Sequence, residues 1–67
     1  MTSHNTHITD YMVLEADSAE ELSNAVVEAI HNRWQPFGNM AIVPKHDGSQ
    51  ERTVLLQPMI LQAEWFR

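Results

Sequence analysis

The sequence predicts an α+β fold, a small β-α-β-β domain with one helix on a three-stranded sheet whose other face is buried by self-association. Three observations predict it. Two extended segments carry apolar residues on both faces. A single amphipathic helical stripe lies between them. Sixty-seven residues without cysteine leave room for one domain and no disulfide staple. The expected organisation is a flexible N-terminal tail over residues 1–6 and a single domain over 7–67.

The first strand is expected from His7 to Ala16. Tyr11, Met12, Val13 and Leu14 form an apolar run, two residues to each face. A strand buried on one side alone would alternate with polar residues there. Ser18 then opens a helix. It is an N-cap residue with Glu21 three positions on, a capping box, and Asp17 and Glu20 place negative charge at the positive end of the helix dipole. Leu22, Ala25, Val26, Ala29 and Ile30 recur at helical spacing as one apolar stripe. Val27 and Trp34 lie on its flank as a second contact surface. The helix is expected to stop near Asn32 or Arg33, with Asn32 suited to the left-handed conformation of helix ends.

Trp34 to Asn39 reads as a turn, because Pro36 and Gly38 prevent continued helix. Trp34 and Phe37 are expected to cap the core. A second strand follows at Met40 to Val43, then a polar loop from Pro44 to Arg52. A third strand is expected from Thr53 to about Leu61, with Val54, Leu56 and Ile60 on one face and Leu55, Met59 and Leu61 on the other. Pro58 inside it points to an edge position or a bulge. One helix covers one face of such a sheet, so a second copy is expected to cover the other. The interface residues expected are Tyr11, Val27, Leu55, Met59, Leu61, Trp65 and Phe66.

Tyr11-Met12-Val13, Glu15-Ala16-Asp17-Ser18-Ala19-Glu20-Glu21-Leu22, Trp34-Gln35-Pro36-Phe37-Gly38 and Gln57-Pro58-Met59 together resemble a small bacterial and phage domain family of unknown function. Its pattern has a Y-x-V strand, an x-A-x-S-x-E-E-L helix start, a G-W-x-P-x-G-G turn and a Q-A-M strand. The resemblance covers roughly residues 10–61. Arg33 stands where that family has glycine before the tryptophan, Asn39 where it has the second glycine, and Pro58 where it has alanine. The first departure implies that another residue takes the left-handed position at the helix end. The family carries no catalytic motif. A lone domain of this kind implies a phage accessory protein that blunts a host defence or signalling system.

Function classes narrow by composition. The net charge of −5 argues against general nucleic-acid binding. No apolar run exceeds the four residues Tyr11 to Leu14, so no membrane span is expected. Residues 1–10 lack an apolar signal core, which places the protein in the cytoplasm of a bacterial host. No nucleophile elbow, P-loop or zinc-protease motif occurs, so no enzyme is expected. Neither cofactor nor metal is expected, since the histidines at 4, 7, 31 and 46 do not cluster as a metal site requires.

Charge is uneven along the chain. Six acids and no Lys or Arg fall within residues 1–30, and all four bases fall within 31–67. Arg33, Trp34, Lys45, His46 and Arg52 are therefore the candidate binding residues. Arginines and loop amides suit phosphate oxygens, and Trp34 offers a stacking face. The expected function is a homo-oligomeric protein sequestering a small phosphate-bearing, nucleotide-like ligand. The alternative is a protein-protein inhibitor or adaptor that meets a host protein through its acidic helix face or a sheet edge.

Overall fold

A computed structural model describes the backbone of residues 4–66 and the side chains of residues 7–63. The order is β1 (His4–Ala16), α1 (Ala19–His31), β2 (Gln35–Pro36), β3 (Ala41–Asp47) and β4 (Gln50–Phe66). All four strands form one antiparallel sheet around β4. β1 pairs with β4 along its whole length. On the other side β3 pairs with the first half of β4, and the short β2 pairs with Ile60 and Met59. The expected class holds, with the third strand position shared by two pieces.

Several local expectations need correction. Of the expected tail over residues 1–6, residues 4–6 belong to β1, which begins at His4, and residues 1–3 lie outside the described residues. The long polar loop does not exist. Pro44 to Asp47 continue β3, Gln50 to Arg52 begin β4, and Gly48-Ser49 alone turn the chain. Gly48 has φ +68, as the first central residue of a tight two-residue hairpin turn requires. Pro44 is tolerated there because β3 is an edge strand.

Pro58 lies neither on an edge nor at a bulge. It sits mid-way along the central strand, opposite Val13. Its carbonyl accepts from the Phe37 N–H at 3.0 Å. Its ring nitrogen therefore faces the same side, toward the break between β2 and β3, where no ladder hydrogen bond is lost. The bulge is in β1 instead, between Ile8 and Asp10. Thr9 is the extra residue, and its hydroxyl donates to the Leu61 carbonyl at 3.3 Å.

The helix follows its sequence signals closely. Ser18 is the N-cap, and its Oγ accepts from the Glu21 N–H. At the other end Asn32 keeps a negative φ of −103, and Arg33 takes the left-handed position with φ 76. The Arg33 N–H bonds the Ile30 carbonyl and the Trp34 N–H bonds the Ala29 carbonyl, both at 3.0 Å. That pair of bonds is a Schellman motif. The expectation that Asn32 takes the left-handed position is thus corrected: Arg33 takes it itself.

α1 lies across one face of the sheet, touching β1, β4 and β2 but not β3 among the described residues. Leu22 and Ala29 on the helix and Met59 on β4 are all buried in this layer. Side chains alternate along a strand, and paired residues share a face. Met12, Leu14, Ala16, Leu55, Met59 and Leu61 are thus on the helix side. Ile8, Tyr11, Val13, Val54, Leu56, Pro58 and Ile60 are on the open side. The result is thin and long, 60 × 18 × 15 Å, with a radius of gyration of 15.8 Å. A compact chain of this length would have about 11 Å.

Candidate functional site

The open face is apolar and only partly covered. Ile8, Tyr11 and Val13 are about half exposed or more, with Tyr11 at 59%. Leu56 and Pro58 beside them are half-buried. Yet Val54 on the same face is 0% exposed. Ile60, also on this face, is 4% exposed, and at the Val54 end two charge pairs cross the sheet. Lys45 Nζ reaches from β3 across β4 to both Glu15 carboxylate oxygens, at 3.1 and 3.0 Å. Arg52 Nη1 lies 3.4 Å from Asp17 Oδ1. The register places Val54 beneath the line joining Lys45 to Glu15, beside Val43. Lys45 and Arg52 are each about half exposed, as expected of side chains whose methylene stems lie over an apolar residue while their charged ends stay wet.

These contacts decide the candidate anion site. Lys45, His46 and Arg52 do share one hairpin, but each faces a carboxylate. His46 Nδ1 is 3.6 Å from Glu51 Oε1, on the opposite face from Lys45 and Arg52. Arg33 and Trp34 stand at the other end of the helix, next to β2. Arg52 is eight positions along β4 from Ile60, which pairs with Gln35, and that is roughly 27 Å of strand. One chain therefore does not gather the five residues into a phosphate pocket.

The expected interface residues also divide. Tyr11 is on the open face as required. Met59 is fully buried beneath the helix, and Leu55 and Leu61 share its side of the sheet. Those three belong to the chain's own helix layer, so Ile8 and Val13 replace them as exposed apolar residues. Val27 is exposed on the helix at 51%. The side chains of Trp65 and Phe66 lie outside the described residues. Alternation within Tyr11 to Leu14 separates the faces in that segment. Ile8 could not be assigned in the same way, because the Thr9 bulge reverses the alternation.

A second feature escaped the sequence. Where α1 crosses away from β1, an open groove of about 360 Å³ remains, lined by Met12, Leu14, Ala25, Glu28, Ala29, Asn32 and Trp34. It lies between the helix-facing side of β1 and the second half of α1. Among the described residues β1 pairs with β4 alone and leaves its other edge without a strand. Comparison of the chain with protein families, with curated proteins and with solved structures found no match. Among the described residues no group of three His, Asp or Glu is placed to hold a metal ion. No helix among them is long and apolar enough to cross a membrane.

Proposed function

We propose that the protein is a non-enzymatic association module that works as a homo-oligomer, with the open face of its sheet covered by a second copy. The observation that carries this reading is surplus surface. A folded monomer of this mass exposes about 4,300 Å², whereas this chain exposes 5275 Å². The excess is roughly 900 Å², close to what one partner buries in a standard protein interface of about 800 Å² per side. The exposed apolar side chains Ile8, Tyr11 and Val13 supply the contact chemistry. Such an assembly would present the exposed acids Glu20, Glu21 and Glu28 in multiple copies. That arrangement supports an adaptor or inhibitor role toward a basic protein surface, because clustered copies bind with avidity. The phosphate-ligand reading is the weaker one, since Lys45, His46 and Arg52 each face a carboxylate already.

Sedimentation equilibrium over a concentration series tests the proposal. Wild-type chain should run as a multiple of 7.7 kDa. Ile8→Asp combined with Tyr11→Asp should lower that mass while circular dichroism still reports strand and helix. A wild-type species that stays monomeric and fully folded at every concentration would overturn the reading.

A further inference from the structure

We propose that β1 is a self-pairing edge, joining two copies through an antiparallel β1–β1 contact over Asp10–Ala16, centred on Val13. The inference rests on the homo-oligomeric reading and names a contact separate from the open face.

The hydrogen-bonding direction of β1 follows from Pro58. Proline has no N–H, and the Pro58 carbonyl is taken by Phe37. The Val13–Pro58 pair is therefore of the non-hydrogen-bonded kind. The N–H and C=O of Val13 point outward, away from β4, and by alternation so do those of Tyr11 and Glu15. These backbone groups are presented along one edge.

The two edges of the sheet are built differently. The edge made by β2 and β3 is interrupted between Pro36 and Ala41 and carries Pro36, Pro44 and Lys45. Breaks, prolines and lysines are the devices that blunt an edge against pairing. β1 contains neither proline nor lysine over its 13 residues.

The second copy is the occupant that fits. The regular part of β1 runs from Asp10, just past the bulge, to Ala16, just before the helix. Its central residue is Val13. An antiparallel pair centred there aligns the whole segment with itself. Tyr11 then opposes Glu15 of the second copy, and Met12 opposes Leu14. No carboxylate faces another: Asp10 meets Ala16, and each Glu15 meets a phenol able to donate to it. Shifting the register by one residue is barred, because it would set outward-pointing backbone groups against inward-pointing ones. On the helix side the two grooves would join into one cleft. Its floor would be Met12 and Leu14 of both copies, now packed against each other.

The chain has no cysteine, so engineered thiols report the register. Met12 and Leu14 would form non-hydrogen-bonded cross-strand pairs, with Cα atoms about 4.5 Å apart, within disulfide range. A mixture of Met12→Cys chain and Leu14→Cys chain should give a disulfide-linked heterodimer on mild oxidation. Neither variant should cross-link to itself. Self-linking of Met12→Cys or of Leu14→Cys alone would overturn the Val13-centred register. The exposed pair Tyr11→Cys and Glu15→Cys, joined by a short bifunctional thiol reagent, repeats the test without disturbing half-buried positions. A wild-type oligomer whose mixed thiol pairs fail to link would refute the edge contact and leave the open-face assembly standing. A wild-type monomer would remove both.

Discussion

Arg33→Gly isolates one backbone conformation with little change in packing. Arg33 holds φ 76 at the helix end, and an L-residue there is disfavoured by roughly 1–2 kcal/mol. Glycine removes that strain. It also loses more chain entropy on folding, which offsets about 0.5–1 kcal/mol. The net expectation is a gain of about 0.5–1 kcal/mol. For a domain of this length that raises Tm by roughly 2–8 °C. Arg33→Ala is the matched control, since it deletes the guanidinium but keeps a Cβ in the left-handed region. Thermal melts at one fixed protein concentration compare the variants, because assembly makes Tm concentration-dependent. A glycine variant no more stable than the alanine variant would refute the claim that backbone strain at Arg33 matters.

Four further outcomes are expected. Met59→Ala should cost about 2–5 kcal/mol in urea denaturation, whereas Ile42→Ala, at a residue 65% exposed, should stay within about 0.5 kcal/mol. Gly48→Ala should destabilise by about 1 kcal/mol through its positive φ alone, since a Cβ there meets no atom within 4 Å; an unchanged melt would contradict the assigned turn. Val54→Ala should cost about 2 kcal/mol, and Lys45→Ala about 1 kcal/mol or more, because it uncovers Val54 as well as breaking an exposed ion pair; a Lys45→Ala variant as stable as the wild type would refute the account of how Val54 is covered. A panel of cyclic and linear nucleotides should leave Tm unmoved, and a shift abolished by Arg52→Ala would restore the anion-site reading.

The sequence by itself determined the helix almost to the residue, because its signals are local. Ser18 with Glu21 caps one end, and the stripe through Leu22 and Ala29 sets the buried side; the stretch from Trp34 to Asn39, expected as a turn, instead includes the short strand Gln35–Pro36. It also placed Val54 and Ile60 on the face opposite Leu55 and Met59, since alternation needs no knowledge of partners. Only the tertiary structure decided which face the helix covers, and hence that Met59 is core and Val13 is surface. Only it decided that Arg33 bears the left-handed turn, that Pro58 is tolerated mid-sheet beside the β2–β3 break, and that Thr9 bulges. Only it matched Lys45 with Glu15 and Arg52 with Asp17. Each of these depends on strands distant in sequence settling their register, and the energy that selects a register belongs to pairs of segments rather than to either segment alone.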